Sequence, residues 1–262
     1  MIIQYASDLH LEFKENKDFL EKHPIQAKGD ILLLAGDIVP FALMKKADDF
    51  FSYLSDQFEM VYWLPGNHEY YHSDASERSG AFQEAIKSNV ILINNTSVKH
   101  ENVKIIFSTL WSKISPLNEW NIENSMSDFH VIKYYDKKFK PLHFNALHQD
   151  CMYFLSNELS KKDTNKSVVV THHVPTMLNY PAKYKGDTLN EAFAVELYDL
   201  IKYQEPDFWI YGHTHGNTKD FAIGKTQLLC NQLGYVKYNE HEKFNAAAYF
   251  DIIKSDNQIN KV

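Results

Sequence analysis

The 262-residue chain holds only two cysteines, Cys151 and Cys230, far apart and in no Cys-x-x-Cys pair. That excludes a disulfide framework, and both are expected to be buried thiols. No apolar run approaches the roughly 20 residues needed to cross a bilayer. The N-terminus runs from Met1 straight into a strand-like segment, without the basic, apolar and small-residue series of a leader peptide. A cytoplasmic protein with no membrane insertion is therefore expected. An excess of basic charge is missing too: 27 Lys and Arg stand against 34 Asp and Glu, for a net charge of −7. That argues against a general nucleic-acid binder, because neutralising a phosphate backbone needs a basic face. Nor is there an internal repeat, a low-complexity tract or a Gly/Ser-rich linker, so one domain over 1–262 is expected. What remains is ordinary: 44% hydrophobic and 23% charged residues, enough for a sizeable core.

Short apolar runs alternate with longer segments of helical period, the pattern of βα units around a sheet. Strands are expected at Ile2–Ala6, Ile31–Ala35, Met60–Leu64, Val90–Ile93, Lys104–Thr109, Val168–Thr171, Phe208–Tyr211, Gln227–Cys230 and Ala246–Ile253. Helices are expected within Phe41–Gln57, Ser76–Lys87, Phe144–Lys161 and Leu189–Tyr203. In the third helix, Leu147, Cys151, Leu155 and Leu159 recur every four residues, so one stripe faces the core. Phe193, Leu197, Leu200 and Ile201 do the same in the fourth. The stretch 111–143 resists the alternation and mixes aromatics such as Trp111, Trp120, Phe129 and Phe139 with lysines. It reads either as a lid over a site or as a surface insertion packing its aromatics on the core.

Five of the expected strands end within one to three residues on metal-ligand residue types. Ile2–Ala6 leads to Asp8 and His10, and Ile31–Ala35 to Gly36-Asp37. Val61–Leu64 leads to Gly66-Asn67-His68-Glu69, Val168–Thr171 to His172-His173, and Phe208–Tyr211 to Gly212-His213-Thr214-His215. Asp8 and His10 are two apart, so an extended backbone would send both side chains to the same side, and His213 and His215 share that spacing. Gly36 allows a sharp turn where the strand ends. Pro65-Gly66 is a strong turn signal before Asn67. Carboxylate, imidazole and amide oxygen, without thiolate, suit Mn, Fe, Zn, Ni or Co rather than a closed structural zinc site. A lone histidine usually makes an ordinary hydrogen bond, and His23, His72, His100, His130, His143, His148 and His241 are read that way. Asp8, His10, Asp37, Asn67, His172, His213 and His215 share one placement, and that placement is the argument for a metal centre at the edge of a sheet.

The series Asp8-x-His10, Gly36-Asp37, Gly66-Asn67-His68-Glu69, His172 and Gly212-His213-x-His215 resembles the calcineurin-like metallophosphoesterase superfamily, with all five motifs in that family's order. The resemblance implies an α/β fold, a four-layer α/β/β/α sandwich with a dinuclear metal site at the C-terminal ends of the strands. It implies a first metal held by Asp8, His10, Asp37 and His215, and a second held by Asp37, Asn67, His172 and His213. His68 would be the catalytic residue at the phosphate or leaving oxygen and not a ligand. His173 would face the substrate or stand behind the ligands. Tyr70, Tyr71 and Trp111 are candidate pocket residues, with plain aromatic packing as the competing role. The implied cofactors are two divalent metal ions, manganese first, with iron, zinc, nickel or cobalt as alternatives. They would leave the site net positive toward a small phosphate ester and generate a bridging hydroxide as nucleophile.

One departure narrows the substrate. Ile38-Val39-Pro40 follows Gly36-Asp37 in place of the Asp-Arg-Gly of the superfamily's phosphoprotein phosphatases, which argues against a protein substrate. DNA-repair nucleases of the superfamily carry an added DNA-engaging domain, and this chain is short and acidic. His172-His173-x-Pro175 resembles small bacterial phosphodiesterases, so hydrolysis of a small phosphodiester is the preferred expectation. A phosphomonoesterase or a pyrophosphatase on a nucleotide or lipid precursor is the alternative. A reading from a different class is a catalytically silent protein-binding scaffold of the same fold, against which the intact His68 and ligand positions stand.

Overall fold

The computed structural model describes residues 1–161 and 166–252. Its strands, in chain order, are β1 (Ile2–Ala6), β2 (Ile31–Ala35), β3 (Met60–Leu64), β4 (Phe82–Lys87), β5 (Val90–Asn94), β6 (Thr96–His100) and β7 (Val103–Ser108). A small hairpin, β8 (Lys133–Tyr134) and β9 (Lys137–Lys138), is followed by β10 (Lys166–Thr171), β11 (Phe208–Ile210), β12 (Phe221–Ile223), β13 (Thr226–Leu229) and β14 (Tyr249–Asp251). One six-stranded sheet has the order β14-β1-β2-β3-β5-β4 and the other β12-β13-β11-β10-β7-β6. Each is parallel in its middle and antiparallel at both edges.

The two sheets meet face to face. Ile3, Tyr5, Leu33 and Leu64 from the first pack with Ile105, Phe107, Val168 and Val170 from the second. Alternate residues point the other way and are covered by helices, which is why these strands read as continuous apolar runs. Helices α1 (Lys14–Lys22) and α2 (Asp48–Gln57) cover the first sheet, with Phe51 and Leu54 against Trp63 and Leu32. Two short helices, α3 (Glu119–Ser125) and α4 (Asp128–Val131), precede the long α5 (Pro141–Ser160), and α6 (Tyr198–Gln204) follows. The C-terminal half of α5 and α6 cover the second sheet through Leu155, Leu159 and Ile201. This is the expected four-layer α/β/β/α sandwich. Leu147, Cys151, Leu155 and Leu159 are all buried, as their spacing requires, and both thiols are free and buried. No helix among the described residues is long and apolar enough to cross a membrane.

One expected helix fails and another is kept only in its second half, as α6. Ser76–Lys87 is a single 3-10 turn at Ala75–Glu77 followed by β4. Its Ala, Glu and Lys favour a helix, but pairing of Phe82–Lys87 with β5 overrides that weak preference. Leu189–Tyr203 is broken after Ala192 because Val195 donates its N–H to the Val174 carbonyl, tying this segment to the loop after β10. The last strand is shorter than Ala246–Ile253, and Ile253 lies outside the described residues, as does the end of the expected 1–262 unit. The stretch 111–143 carries the two short helices and the β8–β9 hairpin. Trp111, Phe129 and Phe139 pack on Phe144 in the core, whereas Trp120 and Tyr135 face solvent.

Candidate metal centre

The strands β1, β2 and β3 run parallel side by side, and so do β10 and β11 in the facing sheet. All five release their loops at the same end of the sandwich, where a bridge between Ser7 and Gln232 ties the two sheets together. The loops then share backbone hydrogen bonds: Asp8 N–H to the Gly36 carbonyl at 2.9 Å, His10 N–H to Asp37 at 2.9 Å, and Gly212 N–H to His172 at 3.0 Å. Glu69 locks two of them. Its carboxylate accepts from the N–H groups of Asp37, Ile38 and Gly66 and from the Trp63 indole, at 2.6–2.9 Å.

Two glycines are required by close approach. A Cβ on Gly66 would strike the Asp37 carboxylate and lie 2.6 Å from His172 Nε2. One on Gly36, where φ is +89°, would strike the His172 ring. The non-glycine residues beside them are unusual in another way. Asp8, His10, Asp37, His213 and His215 all have positive φ, between 48° and 79°. The convergence expected from spacing of two therefore occurs, but on left-handed and not extended backbone. Such positions cost about 1 kcal/mol or more each and persist only where the surroundings hold them.

The seven side chains form two groups that share Asp37. Asp8, His10, Asp37 and His215 bring one ligand atom each within 4.8 Å of one another, as do Asp37, His172 and His213. Asn67 completes the second group, with its Oδ1 3.2 Å from His172 Nε2. All seven are buried or nearly so. The donor set can be tested for a cation without one being present. His10 Nδ1 faces the Glu12 carboxylate at 3.1 Å and His215 Nδ1 faces Glu240 at 2.7 Å, so each keeps its proton there. Their Nε2 lone pairs then oppose each other at 2.9 Å. In the second group, His172 Nδ1 faces the Ala35 carbonyl at 2.9 Å and His213 Nε2 that of Ala192 at 3.3 Å. His172 Nε2 and His213 Nδ1 therefore meet at 3.0 Å, beside Asp37 Oδ2 at 3.3 Å from His172, and although burial opposes it Asp37 lifts the His172 imidazole to about 9, so that a proton holds the place a cation would take. Acceptors converging on acceptors are repulsive until a proton or a metal cation sits among them. Oxygen and imidazole without sulfur suit the divalent ions expected from the sequence.

His68 stands outside both groups. Its Nδ1 lies 3.1 Å from the same Glu12 oxygen that His10 uses, its ring stacks on Tyr71 at 4.1 Å, and its Nε2 is 3.5 Å from the Tyr235 hydroxyl. Burial opposes a charge on His68, but Asp37 and then Glu12 outweigh it and lift the imidazole to about 9. The cavity it faces is about 430 Å³, with Phe13, Tyr71, Tyr184, Phe193 and Tyr235 as aromatic walls. Ser125, Met126 and Ser127, from the 111–143 stretch, line it as well.

Of the alternatives expected for the pocket, substrate contact is corrected for Tyr70, Trp111 and His173, and the competing role holds for each. Tyr70 is buried, gives its hydroxyl to the Arg78 carbonyl and packs on Phe41, so it does not reach the cavity; its neighbour Tyr71 does. Trp111 is buried against Tyr70 and Phe144. His173 is wholly buried behind the ligands and not on the substrate side. Its ring stacks on His213 at 4.2 Å, opposite Phe193 at 4.5 Å, and its Nδ1 accepts from the Ser112 N–H. None of His23, His72, His100, His130, His143, His148 and His241 joins a metal-capable group among the described residues. Sequence reasoning missed Glu12, Glu240, Tyr235 and Asp128. Asp128 accepts from Asn67 Nδ2 and from the Tyr71 hydroxyl, both at 3.0 Å, so it turns the Asn67 oxygen toward His172. Only Glu12 left a signal, since it continues the two-residue spacing of Asp8 and His10.

Residues 3–217 match the family model described as calcineurin-like phosphoesterase. The chain is 32% identical over 277 aligned positions to an uncharacterised protein of Acanthamoeba polyphaga mimivirus, with 96% of each covered. Among solved structures it is similar to the phosphopantetheinyl hydrolase of Mycobacterium tuberculosis, with a TM-score of 0.70 at 16% identity over 92% of both chains. At that identity the likeness concerns the fold alone.

Proposed function

The chain belongs to the calcineurin-like phosphoesterases, metal-dependent hydrolases of phosphate esters, and from that premise we propose that it cleaves small phosphodiesters. The observation that carries this reading is the pair of carboxylate and imidazole groups sharing Asp37, with His68 beside them and aimed at an aromatic cavity. We assign Asp8, His10, Asp37 and His215 to one divalent ion and Asp37, Asn67, His172 and His213 to the other, with manganese as the first candidate. When bound, the ions supply positive charge for the phosphoryl oxygens and acidify a water to near neutrality. The chain's own residues do the rest. Glu12 keeps the His68 proton at Nδ1, and the stack on Tyr71 sets the ring plane, so Nε2 is presented toward the leaving oxygen. Phe193 and His173 clamp the His213 ring, and Asp128 fixes the Asn67 amide.

Two features favour a diester over a monoester. Aromatic walls stand on more than one side of the ligand groups, which gives room for two organic arms. No lysine or arginine lines this cavity among the described residues, so His68 is the one positively charged side chain besides the ions that would meet the extra charge of a monoester. We take 111–143 as a substrate-facing segment, supported by Ser125–Ser127 in the wall. The test is turnover of bis(p-nitrophenyl) phosphate and p-nitrophenyl phosphate with manganese added, run beside metal analysis of the purified protein. Metal-dependent turnover of the diester, abolished by Asp37→Ala or His213→Ala, is expected. Full turnover by the Asp37 variant after chelation refutes the mechanism. Bound metal without turnover of either ester favours the scaffold.

A further inference from the structure

Beside the catalytic cavity lies a second, larger cleft of about 770 Å³. The two are neighbours, with His215 and Glu240 lining both. Their charge is opposite in character. Lys183, Lys185, Lys219 and Lys243 line the second cleft, all exposed, and none forms an ion pair with a described residue. Its carboxylates are Glu240 and Glu242, and Glu240 is already engaged by His215 Nδ1 and the Tyr235 N–H, each at 2.7 Å. A chain of net charge −7 thus gathers four lysines against two glutamates in a cleft next to its candidate metal ligands. Lys183 sits at the junction, its ammonium 4.5 Å from the ring of Tyr184, a residue of the catalytic cavity wall.

We propose that this cleft is a second phosphate site, which takes a terminal phosphomonoester carried on one arm of the substrate. The substrate class is then a phosphodiester that bears a second phosphate, such as a 5′-phosphorylated dinucleotide. A phosphate monoester carries close to two negative charges at neutral pH, and mobile lysine ammonium groups suit it as point charges. The diester phosphate goes to the cation-ready groups, where no lysine is present, and the terminal phosphate goes to the lysines, where no metal group is present. The proposal rests on the phosphodiesterase reading.

The test compares the dithymidine diester TpT with its 5′-phosphorylated form pTpT, on the wild-type protein and on the Lys183→Gln/Lys185→Gln/Lys219→Gln/Lys243→Gln variant. Wild-type kcat/KM should favour pTpT by about tenfold, mainly through KM, the size expected when exposed lysines meet a phosphate dianion. In the variant the ratio should fall to about one, with folding checked by its thermal melt. A wild-type ratio near one overturns the site, and so does a ratio retained in the variant. A preference that grows with oligothymidine length, whether or not the 5′ phosphate is present, also overturns it, in favour of a nucleic-acid track. If neither dinucleotide nor bis(p-nitrophenyl) phosphate is cleaved, the phosphodiesterase reading fails on its own. The second site is then read separately by titrating the chelated protein with thymidine 3′,5′-bisphosphate. Binding that the four substitutions weaken about tenfold supports the site, and binding that they leave unchanged overturns it.

Discussion

Replacing Glu12 by glutamine tests how the two central imidazoles are aimed. One Glu12 oxygen lies 3.1 Å from both His10 Nδ1 and His68 Nδ1. Burial opposes the charge on this carboxyl, but its bonds to His10 and then His68 outweigh it and hold the group at about 2. A charged acceptor keeps a proton on each Nδ1. That leaves Nε2 of His10 directed at His215 and Asp37, and Nε2 of His68 directed at the cavity. Glutamine keeps the shape and one acceptor oxygen but removes the charge. The difference between a charged and a neutral hydrogen bond is about 1 kcal/mol, so two such bonds amount to about 2 kcal/mol, or about 30-fold. The loss should divide between the two imidazoles. The manganese concentration for half-maximal turnover should rise about fivefold through His10, and kcat at saturating manganese should fall about fivefold through His68. Turnover of bis(p-nitrophenyl) phosphate measured across a manganese titration reads both. If both quantities stay within about twofold of wild type, Glu12 does not orient the two rings.

Three further outcomes follow from particular contacts. His68→Ala should keep its metal content near normal while kcat falls roughly 10²-fold or more, and a parallel loss of metal would make His68 a ligand. Gly66→Ala should lose metal, because its new methyl group would occupy the space of the Asp37 carboxylate and the His172 ring; normal metal stoichiometry would refute the packing. Glu158→Gln tests acid stability. Burial opposes the Glu158 charge, but Lys104, Lys161 and Ser97 outweigh it and hold the carboxyl at about 2. Its folded value lies below the unfolded one, so its stabilisation is full above about pH 4.3 and is lost as pH falls toward about 2; at neutral pH it is worth about 3 kcal/mol. The variant should start well below wild type, because Lys104 is 2% exposed and loses its buried partner. Urea midpoints should show that gap narrowing by about half between about pH 7 and about pH 3, and an unchanged gap would refute the linkage.

The parts of the fold that could be read from sequence share one physical cause. β1, β2, β3, β10 and β11 are parallel, largely buried strands, so each carries a mostly apolar run that stops where the chain leaves the sheet. In this protein the ligand types follow within a few residues of those ends, so strand ends and candidate ligands were legible together. β4 was not, because its residues favour a helix locally and only pairing with β5 makes it a strand. The supporting carboxylates were hidden for a related reason. Asp128 and Glu240 lie 61 and 25 residues from Asn67 and His215, the side chains they hold, so no local spacing announces them. Tyr70 and Tyr71 differ by one position, and only the 3-10 turn at His68–Tyr70 decides which of them enters the core.

The left-handed backbone at five candidate ligand positions explains how such a site can exist before any ion binds. Strained residues bearing opposed lone pairs would relax if their loops were free. They are not free: each strained stretch is tied to another loop of the site. Asp8 and His10 donate to the backbone of the Gly36-Asp37 loop, His213 N–H donates to Asp8 Oδ1 at 3.0 Å, and His215 N–H donates to Gln232 Oε1 at 2.7 Å. Asp37 is held in turn through Glu69, whose other donors come from the loop after β3 and from Trp63 in the core. The strain is therefore spread over two sheets that meet at this end, and the apolar core between them supplies the rigidity. A cation arriving at such a cluster finds its ligands already converged, so little ordering cost is charged against its binding. The same rigidity fixes His68, whose backbone N–H is bound to Asp37 Oδ1 at 2.9 Å, at a set position beside the candidate ion-binding groups.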